Sequence, residues 1–278
     1  MYEILSMEEL AKDIYEAVVS APELARKARA GEFLVVMADE KGERVPLTIA
    51  DWDADKGTVT IVLMAIGTST YKLAEMKEGD QLYAFAGPLG HASEIENYGT
   101  VVCVAGGVGA APVYPIARAL KDAGNKVVTI HGARTKDLLF WEDRLEEAST
   151  EYIQVTDDGS SGRKALVTEP LKEVLEREKV DKVYAIGPVP MMKFCSLTTK
   201  PFGVKTIVSL NSIMIDATGM CGGCRVNVDG KTKFTCVDGP EFDGHQVDWD
   251  LLMSRQKIYV EEEKCSLEAY LEKEGVKK

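Results

Sequence analysis

Six cysteines stand in this 278-residue chain, and three of them, Cys221, Cys224 and Cys236, fall within sixteen residues. The stretch reads Asp216-Ala217-Thr218-Gly219-Met220-Cys221-Gly222-Gly223-Cys224, then Cys236, a C-x2-C-x11-C spacing with a carboxylate five residues upstream. Two thiols across a glycine pair can approach one metal from a tight loop, and glycine lets backbone N–H groups point at sulfur. A [2Fe–2S] centre takes four ligands; Asp216, Cys265 and His245 are the candidates for the fourth. A structural zinc site made of Cys221, Cys224, Cys236 and His245 is the other chemistry that this spacing allows. Cys103 and Cys195 are isolated in apolar surroundings and Cys265 lies in an acidic tail, so a secreted disulfide framework does not describe the set.

A second group of residues could hold a dinucleotide. Val104-Ala105-Gly106-Gly107-Val108-Gly109-Ala110-Ala111-Pro112 follows an apolar β-branched run and opens a helical pattern. Glycines there let the backbone approach a pyrophosphate at the positive end of a helix, although tight strand-to-helix packing selects glycine as well. Gly132-Ala133-Arg134, Thr156-Asp157-Asp158-Gly159-Ser160 and Gly187-Pro188-Val189-Pro190-Met191-Met192 each follow another strand pattern. Ligands of open α/β sheets bind outside the carboxyl ends of strands, where all four loops fall. Arg134 could meet a 2′-phosphate, whereas Asp157 or Asp158 could bond a ribose hydroxyl, so both NAD(H) and NADP(H) fit. A third group, Arg44-Val45-Pro46-Leu47-Thr48 and Gly67-Thr68-Ser69-Thr70, offers hydroxyl and N–H donors of the kind that hold a flavin and its pyrophosphate.

Other polar residues suggest less. His91 and His131 read as satisfied core or loop histidines, and no Ser/His/Asp or paired-carboxylate arrangement is visible.

The elements that must position these groups change character along the chain. Leu10, Ile14, Ala17 and Val18 recur at helical spacing, which predicts an amphipathic helix between Ser6 and Ala28, interrupted near Pro22. Phe33–Met37, Arg44–Ile49, Thr58–Met64 and Gln81–Ala86 read as short strands of a small barrel or sandwich. Beyond Gly99, strands at Thr100–Ala105, Lys126–His131, Glu151–Val155 and Lys182–Ile186 alternate with helices through Leu120, over Trp141–Glu147 and over Thr168–Glu178. That alternation implies a parallel sheet covered on both faces. The segment from Asn211 carries the thiols, and a short helix over Ser266–Glu274 closes the tail. The expected division is 1–99, 100–210 and 211–278.

Composition limits the partners. With 45 acidic against 33 basic residues the net charge is −12, and no Lys/Arg cluster is present to bind nucleic acid. The N-terminus lacks a basic n-region, and Val101 to Leu120, the longest apolar stretch, is broken by three glycines and two prolines. A soluble, cytoplasmic protein is expected.

A barrel, a Gly-Gly-Val-Gly-Ala-Ala-Pro nucleotide domain and a C-terminal cysteine cluster together resemble the ferredoxin–NADP reductase superfamily. Within it the chain is similar to two branches: the iron–sulfur electron-transfer subunit of dihydroorotate dehydrogenase, and the small subunit of electron-bifurcating NADH-dependent ferredoxin:NADP oxidoreductase. Ala30-Gly31-Glu32-Phe33-Leu34 resembles the entry to the barrel, Gly87-Pro88-Leu89-Gly90 its exit, and Thr156 to Gly162 the pyridine-nucleotide loop. The first branch is expected to carry a fourth cysteine where this chain has Asp216. The second carries Asp there and a Ser-Glu-Ile such as Ser93-Glu94-Ile95, which favours it.

The resemblance implies a β-barrel FAD domain, a Rossmann-like NAD domain and a [2Fe–2S] segment. It places FAD on Arg44, Pro46, Leu47, Thr48, Val62, Leu63, Met64, Gly67, Thr68, Ser69 and Thr70. NAD(H) falls to Gly106, Gly107, Val108, Gly109, Pro112, Arg134, Asp157, Asp158, Gly159, Gly187, Pro188 and Met191, and the cluster to Asp216, Cys221, Cys224 and Cys236. It implies as partner a large glutamate-synthase-like flavoprotein subunit with FAD and [4Fe–4S] clusters, and ferredoxin through the complex. In the superfamily flavin motif a hydroxyl residue stands where Leu47 does, so strand alternation is expected to turn Thr48 away from the flavin.

Overall fold

The computed structural model describes residues 2–274, the side chain of residue 274 excepted. The N-terminal half is built from β1 (Tyr2–Ala11), β2 (Ile14–Ser20), α1 (Pro22–Ala25), β3 (Phe33–Met37), β4 (Val45–Thr48), β5 (Asp51–Asp53), β6 (Thr58–Met64), α2 (Thr68–Ala74), β7 (Gln81–Leu82) and β8 (Ala84–Leu89). Two antiparallel sheets, β5-β6-β2-β1-β7 and β4-β3-β8, form the barrel. Between them lie Ile4, Val19, Leu34, Val36, Ile61 and Phe85, each at most 1% exposed. At about 1.5–3 kcal/mol for each large apolar side chain buried, this core holds the sheets together.

The N-terminal helix expected from sequence is instead the β1–β2 hairpin. Its turn sets Asp13 at φ 60°. The apolar positions that fit a helical stripe also fit strands. Ala17 and Val19 point into the barrel while Ile14 packs on the α3 side of β2, and the β-branched run Val18-Val19 favours extended backbone. The reading Gln81–Ala86 likewise divides at Tyr83, β7 joining one sheet and β8 the other.

The second half contains β9 (Thr100–Gly106), α3 (Ala110–Asp122), β10 (Lys126–Ala133), α4 (Glu142–Glu147), β11 (Glu151–Thr156), β12 (Arg163–Lys164), α5 (Thr168–Arg177), β13 (Lys182–Ile186), α6 (Val189–Thr199) and β14 (Lys205–Ser209). The thiol segment adds β15 (Arg225–Val228), β16 (Lys231–Phe234), α7 (Thr235–Asp238) and β17 (Glu241–Asp243). The tail adds α8 (Trp249–Arg255) and α9 (Val260–Glu274), the latter six residues longer than expected. The sheet runs β12-β11-β10-β9-β13-β14-β17, parallel except for β17. Strand order reverses at β9, whose neighbours are β10 and β13, so the crevice of a doubly wound sheet opens above β9. Val101, Cys103 and Ala105 face α3 and α4, while Val102 and Val104 face α5 and α6. A strand buried on both faces accounts for the unbroken apolar run.

Side-chain ties fix the barrel to the sheet. Asn125 Oδ1 accepts from Tyr98 N at 2.7 Å and Gly99 N at 3.2 Å, pinning the connection between the halves. Trp141 donates its indole N–H to Glu16 of β2 at 2.8 Å, with Arg144 stacked 4.5 Å over the ring. Arg118 of α3 bonds Asp51 of β5 at 2.9 Å and lies over Trp52 and Tyr114. No helix among the described residues is long and apolar enough to cross a membrane.

Candidate functional site

One cleft of about 970 Å³ runs between the barrel and the carboxyl ends of the parallel strands. From the barrel it receives all of β4 together with Val62, Leu63 and Met64 of β6. Val45 and Leu47 pack on the barrel core, so alternation gives Pro46 and Thr48 the other face. Thr48 borders the cleft, as do the other three residues of β4.

The turn before α2 lies partly in the cleft and partly behind it. Ile66 and Thr70 line the wall, and Thr70 Oγ1 accepts from Ile66 N at 3.0 Å and Gly67 N at 3.1 Å. Thr68 bonds Ser266 at 2.9 Å and Ser69 donates to Glu43 at 2.8 Å. Gly67, Thr68 and Ser69 are thus not on the lining, and neither is the exposed Arg44.

Opposite the barrel, Gly106, Gly107, Val108, Gly109 and Pro112 form the floor with Gly187, Pro188 and Met191. Only Gly107 of the three turn glycines has positive φ, at 55°. A Cβ on Gly106 would lie 2.3 Å from Met191 Sδ, and one on Gly109 2.1 Å from the Ile186 carbonyl oxygen. These two glycines let the β9 turn and the β13 turn touch; the third leaves open space above the backbone. Arg134 and Asp157 line the far end. Asp158 and Gly159 do not. The Asp158 carboxylate accepts from Ser160 N and Oγ, bonds that shape the loop and hold the group below the usual carboxylate range.

Sequence reading missed part of the lining. Ser209 through Ser212, Met214 and Pro240 border the cleft, as do Leu166 and Phe194, each 57% exposed. The position of Ser209–Ser212 just past β14, at the carboxyl edge of the sheet, was the available signal. Phe33 and Met214 have a second role. Both line the cleft and both pack in a cluster with Cys224 and Cys236, so one apolar wall separates cleft from thiols.

Cys224 and Cys236 are buried, and Cys224 Sγ donates to Cys236 Sγ at 3.1 Å. Cys221 is exposed on the loop and its sulfur accepts from Gly223 N at 3.4 Å. Asp216 binds backbone rather than sulfur, accepting from Thr218 N and Cys221 N at 2.9 Å each. Among the described residues no three His, Cys, Asp or Glu side chains converge on one point. The other fourth-ligand candidates lie elsewhere: His245 bonds Thr199 at 2.9 Å, and Cys265 is exposed on α9. Among the described residues the structure thus assembles neither the Cys3His zinc set nor the set of Asp216 with the three cysteines.

The donors nevertheless suit an iron–sulfur centre. Burial, then the neighbouring Cys224, pushes the Cys236 thiol up to about 12, an apolar site without a counter-cation. A metal at a thiol inverts that preference by taking thiolate. The glycine-bearing loop supplies N–H groups to the sulfurs. His131 is a core histidine but not a fully satisfied one: burial lowers it to about 4, Tyr152 OH lies 2.9 Å from its Nδ1, and its Nε2 is buried without a hydrogen-bond partner among the described residues.

Barrel, doubly wound sheet and thiol loop around one cleft define an oxidoreductase subunit of the ferredoxin–NADP reductase type. Residues 103–196 match the oxidoreductase NAD-binding domain, and residues 211–248 the iron–sulfur cluster binding domain of dihydroorotate dehydrogenase B. A dihydroorotate dehydrogenase B (NAD(+)) electron transfer subunit homolog of Thermotoga maritima is 49% identical over 273 residues, which is 98% of this chain and 96% of that one. The corresponding electron transfer subunit of Desulforamulus reducens is 31% identical over 255 residues, 89% of this chain and 97% of that one. The chain belongs to the family of dihydroorotate dehydrogenase B electron transfer subunits and their homologs. A solved structure of NADH-dependent reduced ferredoxin-NADP oxidoreductase, a source of insight into flavin-based electron bifurcation, superposes with TM-score 0.93 at 47% identity and 98% coverage of both chains. The ferredoxin NADP+ reductase of Neisseria gonorrhoeae, solved with FAD and NADP bound, shares the fold at 20% identity and TM-score 0.60 over 73% of this chain and 91% of that one.

Proposed function

We propose that this chain is the small, electron-transferring subunit of a flavin-based bifurcating NADH-dependent ferredoxin:NADP oxidoreductase, passing electrons between NAD(H), FAD and a [2Fe–2S] cluster. The observation that carries this reading is the shared wall: Phe33 and Met214 belong both to the cleft and to the packing around Cys224 and Cys236. FAD supplies, when bound, the exchange between two-electron hydride chemistry and single electrons.

In this reading 1–99 is the flavin domain, 100–210 the NAD domain and 211–278 the cluster segment with its tail. Thr48 and Thr70 offer hydroxyls on the flavin side. Gly107 exposes backbone to a pyrophosphate, and Arg134 faces it as a cation. The turns at Gly109 and Gly187 pack closely against each other and close the cleft floor on which a nicotinamide and a flavin would meet. Cys221, Cys224, Cys236 and Asp216 would hold the cluster. The partner would be a large glutamate-synthase-like flavoprotein with its own FAD and [4Fe–4S] clusters, linked to ferredoxin.

The second reading keeps the cofactors and exchanges the partner, making the chain the electron transfer subunit of a dihydroorotate dehydrogenase; the match over 211–248 supports it. Asp216 in place of a fourth cysteine favours the first. Anaerobic NADH titration tests what both share. Stoichiometric bleaching of visible absorbance near about 450 nm is expected; an unchanged spectrum would overturn the assignment.

A further inference from the structure

The C-terminal tail runs from the thiol loop back to the barrel, touching the cleft rim at one end and the helix that follows the Ile66–Thr70 turn at the other. Where α8 ends, Arg255 donates to the Gly223 carbonyl at 3.0 Å, between the two cysteines of the C-x2-C loop. Gln256 donates to the carbonyl of Asn211, a residue of the cleft rim, at 3.1 Å. The chain then crosses to α2, where α9 lies along it. Leu267 and Leu271 of α9 are 9% and 7% exposed, a spacing of four that gives the helix one buried stripe. Ser266 bonds Thr68 Oγ1 at 2.9 Å, and Tyr270 OH donates to Glu75.

These contacts bracket α2. Thr68 is its first residue and Glu75 follows its last, so α9 grips both ends of a seven-residue helix. A helix that short is not stable alone and takes its geometry from what it packs against. Its N-terminal turn enters the cleft beside β4 and β6, through Ile66 and Thr70. Ile66 is 70% exposed, so burial of its own side chain does not anchor the turn.

We propose that α9 is a positioning strap that holds the Ile66–Thr70 turn in the shape the flavin site requires, with Ser266 and Tyr270 as positioning residues. The inference rests on the flavin reading of the cleft and extends it to residues outside the cleft. Apparent affinity falls by the fraction of molecules whose turn is correctly shaped. Releasing α9 thus weakens flavin binding, while nothing on α9 is required to bind NAD(H) or retain iron.

The test uses the full-length protein and two variants: S266A/Y270F, which removes the polar contacts, and L267S/L271S, which undocks the helix. Hydrogen exchange of the amides over 66–71 and over 260–274 is measured, together with FAD affinity of flavin-stripped protein by fluorescence, iron content and NADH affinity. Expected are faster exchange in both segments and an FAD dissociation constant raised about tenfold in L267S/L271S and less in S266A/Y270F, with iron content and NADH affinity unchanged. A general loss of stability would move all readouts together and would count against the strap. Undocked α9 with unchanged exchange over 66–71, or with unchanged FAD affinity, overturns it. If the unaltered protein fails to bind FAD while exchange over 66–71 still responds to α9, the flavin reading fails and the strap on the turn stands.

Discussion

Asp216 concentrates the chemistry of the thiol loop at one residue. Its carboxylate bonds two backbone N–H groups, first that of Thr218 and then that of Cys221, and these hold it below the usual carboxylate range. It is thus an ionised oxygen donor fixed beside Cys221, and an oxygen ligand in place of sulfur alters a cluster's potential. Replacing Asp216→Cys is expected to preserve the cluster and shift its midpoint potential by tens of millivolts or more, on the order of changes produced by ligand substitution. A potentiometric titration followed by EPR checks this, and an unchanged potential and spectrum would exclude Asp216 as ligand. The Asp216–Cys221 loop was legible in sequence because its carboxylate bonds backbone only two and five residues on. The roles of Gly106 and Gly109 were not. Their need for hydrogen in place of a side chain comes from Met191 and Ile186, some eighty residues away in the chain.

At the scale of elements, β17 ties the thiol segment to the rest. It pairs antiparallel with β14, and its Glu241 accepts from the hydroxyl of Ser93 on the connection leaving the barrel. Lys182 and Tyr184 of β13, Cys103 of β9, and Glu94 beside Ser93 complete its charged and titratable surroundings. Burial pushes the Glu241 carboxyl from 4.5 to about 7, with the Ser93 bond and Lys182 drawing it back. A carboxyl raised on folding contributes fully below its unfolded pKa, and that contribution is lost as pH rises through the folded value. Relative to an E241Q variant, the protein should therefore lose stability between about pH 4.5 and 7, by on the order of 1–3 kcal/mol. Chemical denaturation of both across that range checks the sign. A difference independent of pH would show Glu241 to be ordinary.

Ser93 and Glu241 illustrate what sequence withheld, since nothing local relates residues 148 positions apart. The β1–β2 hairpin failed to read correctly for a different reason: Leu10, Ile14, Ala17 and Val18 satisfy a helical stripe and a pair of strands alike. Only the barrel, by offering partners at β6 and β7, selects strands. The parallel strands were readable because burial on both faces demands a continuous apolar run, which β9, β10 and β13 provide.

For the whole molecule, the arrangement converges on the space between barrel and sheet. The ties Glu16–Trp141 and Asp51–Arg118 hold the two bodies at a fixed separation, the tail spans them, and the thiols stand behind the cleft's inner wall. We propose that this cleft holds a flavin and a pyridine nucleotide with an iron–sulfur cluster behind its inner wall. Cofactor analysis of the purified, full-length protein tests it most directly: extracted flavin, iron, acid-labile sulfide and zinc are quantified per chain. About one FAD with about two iron and two sulfide per chain is expected, as a [2Fe–2S] centre requires. Zinc in place of iron, or protein that holds no FAD after reconstitution, would contradict it.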